Sequence, residues 1–392
     1  MHIVYSFPHV IGRPGIGTTA RHQVEGAARQ GLSVTLFCAG VEGALDPRIK
    51  VVQTLAAGRV RIPHRALGVH RSYRWHDRVV ASRLRHLGTV DLVHVWPAGC
   101  VQTLRAAAAL RIPAAREVPN THTAYAFEAV AQEFAHLKMA PLPGHSHTAS
   151  REALDREELE YHLASVLLVP SDFSMQTFLD RGFAQDRLAL HQYGFDPAEF
   201  SLPSTSARVA DQGLRALFMG RCEPRKGVHL ALRSWIESGA ARRGRFVICG
   251  TFVDGYASAL GDLLLHPSVE VRGFVAEPGA MMRTHDILLL PSVEEGSALV
   301  TYEAQASGCV PVVSDAAGAR LVHGVSGLVH PARDTDTLTA QLAHLDASPT
   351  QLDLLRRGAF ENSRTLTWDV AAEVLATVYD RVCSTPSAGH FA

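Results

Sequence analysis

The sequence predicts an α/β protein built from two doubly wound, parallel-sheet domains that face each other across a cleft. Three observations carry this. The 392 residues are enough for two domains of about 150–200 residues each. Short β-branched or apolar runs alternate with helical stretches along the whole chain, the pattern of parallel strands covered by helices on both faces. A polar, Pro- and Ser-containing break without periodicity, SLPSTSARVADQG at 201–213, separates two series of strands.

In the first series, strands are expected at His2–Phe7, Ser33–Cys38, Asp91–Val95, Ala115–Val118 and Val166–Val169. In the second they are expected at Leu214–Met219, Arg245–Cys249, Val269–Arg272, Ile287–Leu290 and Val310–Ser314. Apolar positions at helical spacing over Thr367–Val382 predict a closing helix that crosses the domain junction. The expected organisation is therefore 1–205, 206–366 and a terminal segment, 367–392, that returns to the first domain. Such a pair of domains binds ligands at the carboxyl ends of its strands.

Composition narrows the function classes. A 47% hydrophobic content and zero formal net charge describe an ordinary globular chain. MHIVYSFPHVIG reads as a first strand rather than a secretory leader, and no apolar run approaches the ~20 residues that span a bilayer. The six cysteines are widely spaced, without a disulfide or metal framework, so a reducing cytoplasmic setting is expected. Only three of the 38 basic residues are lysines, and Lys226 is the one in the second half.

The richest segment is Asp286–Asp315, DILLLPSVEEGSALVTYEAQASGCVPVVSD. It reads as strand, helix, strand. The helix is expected to start near Ser297 as N-cap, presenting backbone N–H groups around Ala298, Leu299 and Val300 to a phosphate. Glu303 lies five residues past Ala298, about 7.5 Å along a helix axis, roughly the span from a diphosphate to a ribose. Glu295 precedes the helix. Two carboxylates beside a phosphate site suit a ligand rich in hydroxyls, such as a nucleotide sugar. A second segment, FMGRCEPRKG at 218–227, follows a strand and presents Arg221 and Lys226 around a turn. Alone it reads as a basic surface turn; at the carboxyl edge of a sheet it reads as a diphosphate clamp.

Together these segments resemble the retaining family 4 glycosyltransferases, which have the GT-B fold of two Rossmann-like domains. GRCEPRKG is similar to that family's Gly-Arg…Lys-Gly motif, and Glu295 and Glu303 match its two glutamates separated by seven residues. EAQASGCVPVVSDAAGA, VHGVSGLVHP, YGFD at 193–196 and the Trp368 helix continue the resemblance over nearly the whole chain. It implies a retaining, metal-independent transferase moving a sugar from a nucleotide-diphosphate donor, UDP- or GDP-linked, to an unidentified acceptor. By the resemblance, Arg221 and Lys226 hold the diphosphate, Glu303 the ribose hydroxyls and Glu295 the transferred sugar. Ser297-Ala298 stands where the family usually has Phe-Gly, and Tyr193 where it has Asn, which leaves donor identity open.

On the first domain, Pro14-Gly15-Ile16-Gly17 opens a helix, and Gly15 and Gly17 would let backbone approach a phosphate. A dinucleotide site is disfavoured: seven residues separate Phe7 from Gly15, and no acid ends the Ser33–Cys38 strand. His122, past the fourth strand, matches the histidine that the family places near the donor sugar. His145 and His147 lack carboxylate or Cys partners at ligand spacing, so no metal and no cofactor is expected.

The stretch from Arg59 to His86 holds eight arginines, four histidines and one acid, Asp77, with Tyr73 and Trp75 interleaved. It is a candidate for peripheral contact with an anionic membrane or acceptor. No nucleic-acid motif accompanies it. The rivals are a degenerate nucleotide-sugar-binding protein, a glycoside hydrolase with carboxylates ~5–10 Å apart, which leaves the phosphate groups unexplained, and a more distant dehydrogenase.

Overall fold

A computed structural model describes residues 1–57, 60–61, 68–140, 147–202 and 213–384. The first half forms a seven-stranded sheet, in the order β3-β2-β1-β6-β7-β8-β9. Its strands are β1 (His2–Ile11), β2 (Ser33–Val41), β3 (Lys50–Gln53), β6 (Leu92–Val95), β7 (Ala114–Glu117), β8 (Val166–Val169) and β9 (Leu188–Leu190). A small hairpin pairs β4 (Ala56–Ala57) with β5 (Val60–Arg61). The second half forms a six-stranded sheet, in the order β12-β11-β10-β13-β14-β15. It contains β10 (Arg215–Met219), β11 (Arg245–Cys249), β12 (Val269–Gly273), β13 (Ile287–Leu290), β14 (Val310–Ser314) and β15 (Leu328–His330). Every pairing within both sheets is parallel.

The central strands are apolar because helices cover both of their faces: β8 (VLLV) and β13 (ILLL) are buried at every position. Strand order reverses between β1 and β6 and between β10 and β13. These are the switch points at which connecting loops part and leave a crevice. The Gly220–Gly227 loop leaves β10 and the Pro291–Leu299 loop leaves β13, so both candidate motifs meet at the second switch point.

β1 and β2 run four and three residues beyond their expected ends, still paired at Ile11↔Val41. This shortens the connection to Gly15 and changes the spacing used above against a dinucleotide site. β3, β9 and β15 were not expected. Each is short and lies at or next to a sheet edge, where the apolar signal is weak.

The closing helix, Trp368–Ser384, packs along Ile16–Arg29 and puts Leu375, Val378 and Tyr379 into the core beneath β1 and β6. The approach is close: a Cβ on Gly26 would lie 2.6 Å from Ala372 Cβ. The two chain crossings run side by side, with Phe195 N–H donating to Leu366 O at 3.1 Å and Trp368 N–H to Phe195 O at 3.3 Å. Most of the 201–213 break lies outside the described residues, as do His145 and the Arg59 and Arg65 positions of the basic stretch.

Candidate active site

The second switch point is assembled by glycines that permit backbone-to-backbone contact. Gly227 adopts φ 72° after the Pro224–Lys226 turn, and a Cβ there would lie 2.1 Å from Pro291 O. The β10 loop is therefore pressed against the β13 loop, and Val293 N–H donates to Arg225 O at 2.8 Å. This contact brings two basic residues to two acidic ones. Lys226 Nζ pairs with Glu295, and Arg225 Nη1 lies 3.0 Å from Glu295 Oε2 and 3.2 Å from Glu294 Oε2. Arg225 also donates to Glu223 Oε1 at 3.0 Å and to the Glu294 backbone carbonyl at 2.8 Å.

Burial works to raise the Glu295 carboxyl, but the Arg225 and Lys226 charges outweigh it and hold it below the ordinary range. Glu295 is therefore a fixed carboxylate. Arg221 stands at the rim with its side chain 59% exposed, 3.9 Å from Glu223 and outside the buried cluster.

The expected N-cap is displaced. The helix runs Val300–Ala306, with Leu299 at its cap position and no side-chain cap bond. Ser297 Oγ instead donates to Gly318 O at 3.0 Å and lies 2.7 Å from Tyr302 Oη. Ala298 N–H is spent on Ala317 O at 3.1 Å. The two carbonyl partners, Gly318 O and Ala317 O, are supplied by the turn after β14, 19 to 21 residues downstream, which no local capping rule senses. Leu299 and Val300 keep N–H groups outside the helix's own ladder. On the same helix, half-buried Glu303 is pushed up to about 7, by burial first and by the charge of Glu199 second.

The first half contributes differently from expectation. Gly15 is exposed with φ 87°, at the start of the Ile16–Arg29 helix, with open space where a Cβ would be. Gly17 is not at a ligand surface: a Cβ on it would lie 2.8 Å from Val10 O, so its role is to pack the loop. His122 also requires correction. Its ring is buried against Tyr161, Phe178 and Phe183, and its Nδ1 caps the Thr123–His136 helix by accepting from Ala124 N–H at 3.2 Å. Burial, then the nearby Arg181, lowers it to about 4.

The preceding residue makes the contact. Thr121 donates to Glu294 Oε1 from Oγ1 at 2.7 Å and from its N–H at 3.2 Å. Ser171 donates to Gly296 O, and a Cβ on Gly296 would lie 2.1 Å from Pro119 O. Lower down, Glu133 joins His229 at 2.8 Å and Arg333 at 2.8 Å across the same boundary. Arg225, Glu294 and Thr121 were not singled out from sequence; their importance depends on burial and on contacts between distant loops. Among the described residues no cluster of three or more His, Cys, Asp or Glu suits a metal ion.

Residues 213–347 match the family model described as "Glycosyl transferases group 1". Over that span the chain is similar to the group 1 glycosyltransferases. Among curated relatives, it is 26% identical over 389 residues to a D-inositol 3-phosphate glycosyltransferase of Saccharomonospora viridis, covering 90% of this chain and 85% of that one. A protein of the same name from Thermomonospora curvata is 31% identical over 180 residues, 42% of each chain. Among solved structures, sucrose-phosphate synthase from Thermosynechococcus elongatus superposes with a TM-score of 0.70 at 16% identity, over 97% of this chain and 98% of that one. HepE of Anabaena, solved in complex with UDP-glucose, gives 0.63 at 17% identity, over 97% and 100%. The fold of this glycosyltransferase is GT-B, with two parallel-sheet α/β halves.

Proposed function

We propose that this glycosyltransferase takes a sugar from a nucleotide-diphosphate donor and transfers it with retention of anomeric configuration, without a metal ion. The observation that carries the reading is the meeting of Lys226 and Glu295 at the switch point: a cation for phosphate beside a fixed carboxylate for sugar hydroxyls. Arg221 at the rim and the Leu299 and Val300 N–H groups complete the phosphate side, and Glu303 takes the ribose hydroxyls. In the reaction the bond from the anomeric carbon to the donor phosphate oxygen breaks. The acceptor oxygen bonds to that carbon on the same face, and its proton passes to the departing phosphate. Lys226 and Arg221 offset the charge that grows on the leaving diphosphate, the part a metal ion plays in other transferases.

Solved neighbours in complex with UDP and with UDP-glucose favour a UDP-sugar as the first donor to try. The acceptor side is supported by the Val69–Leu84 helix. Arg71, Arg74, Trp75 and Arg78 are exposed there at helical spacing on one face, while the acid Asp77 is turned inward onto Gln102 and Thr103. We assign this face to peripheral contact with an anionic membrane surface. No helix among the described residues is long and apolar enough to cross a membrane.

Product analysis tests the reaction. NMR of the product formed from an α-linked UDP-sugar, with and without EDTA, should show an α-glycoside and equal rates. A β-product, or loss of activity on chelation, contradicts the proposal. Co-sedimentation with phosphatidylglycerol vesicles should fall on raising salt and in the Arg71, Arg74, Arg78 triple alanine variant. Absence of low-salt binding contradicts the membrane assignment.

A further inference from the structure

The charge pair at the site is Lys226 and Glu295, and beside Lys226 on the same loop lies Arg225, whose side chain is 10% exposed. Its guanidinium divides its donors. Nε and Nη2 serve Glu223 Oε1, at 3.0 and 2.9 Å. Nη1 faces the Glu294 carbonyl and carboxylate and reaches Glu295 Oε2 at 3.0 Å. Glu294 is in turn fixed from the opposite half by Thr121. A continuous path therefore runs Lys226, Glu295, Arg225, Glu294, Thr121.

We propose that Arg225 is a positioning residue: it holds Glu295 in place and ionised when a donor diphosphate engages Lys226. This rests on the donor-site reading above. The argument is one of competition. Phosphate oxygens and the Glu295 carboxylate seek the same ammonium, whose three N–H donors must be divided between them. A buried carboxylate that lost its cation would turn away or take up a proton. Arg225 prevents both, because its bond to Glu295 Oε2 is independent of the bond that Lys226 makes to Oε1. A lysine at this position is a single point charge and cannot serve Glu223, Glu294 and Glu295 from a planar fork. The bond from Thr121 to Glu294 keeps the fork oriented, so the opposite half contributes to the aim of Glu295 without touching the donor.

The test is a double-mutant cycle of Arg225→Lys and Glu295→Gln, read as nucleoside-diphosphate affinity by calorimetry and as kcat for donor turnover. UDP, GDP and ADP are titrated in turn, and the one that binds wild type is used. Affinity in Arg225→Lys is expected within about threefold of wild type, because Lys226 remains, while kcat falls roughly 10²-fold, as for loss of one preorganised group. In the double variant, kcat is expected to be little worse than in either single variant, since both act through one carboxylate.

Independent, multiplying losses overturn the inference, as does wild-type kcat in Arg225→Lys. If none of the three nucleotides binds wild type, the donor-site reading fails and takes this inference with it. Should Arg225→Lys fold poorly, Thr121→Val leaves the guanidinium in place and removes one donor to Glu294. It is expected to lower kcat severalfold with nucleotide affinity unchanged, and an unchanged kcat there also overturns the inference.

Discussion

Replacing Glu303 by Gln should remove a pH dependence that the fold builds into this glycosyltransferase. Burial, with a further push from Glu199, raises the Glu303 carboxyl from its ordinary 4.5 to about 7. The folded protein therefore holds a proton between those values that the unfolded chain has released. Stability contributed by this group is fully present below pH 4.5 and is lost as pH rises through 7. At about 1.36 kcal/mol per pH unit the loss comes to roughly 3 kcal/mol by pH 8. Gln has the same shape and does not titrate.

The melting temperature of wild type should accordingly fall relative to Glu303→Gln by about 5–10 °C between pH 5 and pH 8, taking about 2–4 °C per kcal/mol. The assay is thermal unfolding followed by circular dichroism at one-unit steps. If, as proposed, a ribose diol donates to the ionised Glu303 carboxylate, a bound nucleoside diphosphate should protect wild type more at pH 8 than at pH 5, and Glu303→Gln about equally at both. Parallel wild-type and Gln profiles would refute the reasoning.

Three further outcomes are expected. Lys226→Ala should reduce donor turnover about 10²–10³-fold while leaving the fold intact, because Glu295 retains Arg225 at 3.0 Å; wild-type turnover in a coupled nucleoside-diphosphate release assay contradicts this. Gly296→Ala puts a methyl 2.1 Å from Pro119 O in the opposite half, so small-angle scattering should show a larger radius of gyration with unchanged far-UV dichroism. Unchanged scattering and wild-type activity count against it. His122 is lowered from 6.5 to about 4, so only the unfolded chain gains a proton in that window. Stability should fall by up to roughly 3 kcal/mol as pH drops from 6.5 to 4. His122→Asn, which can still cap the helix, should flatten that fall, and denaturant titration in acetate and MES buffers checks it.

Much of the architecture was legible because central parallel strands are buried on both faces and so appear as plain apolar runs. Val166–Val169 and Ile287–Leu290 have the boundaries expected for them. Leu188–Leu190 and Leu328–His330 offer only three residues at sheet edges, too little signal for a strand. Lys226, Glu295 and Glu303, expected from sequence to share one site, lie on loops and a helix around one switch point. The finer wiring of that site was not legible in the sequence. Ser297 carries a capping hydroxyl, but Gly318 O captures it from a loop that only the folded chain brings near. Arg225 beside Lys226 reads as a basic turn until Glu294 and Glu295 are packed over it. His122 offers a histidine's repertoire in the sequence, but only the folded chain shows its ring packed among three aromatic rings.

The central claim is that Lys226, Glu295 and Glu303 form a nucleoside-diphosphate site, and calorimetric titration with UDP, GDP and ADP tests it most directly. The account predicts one-to-one binding of at least one of them to wild type, weakened about tenfold or more by Lys226→Ala, the loss expected for a charge-assisted phosphate contact. Binding of none, or equal binding by wild type and Lys226→Ala, would contradict it.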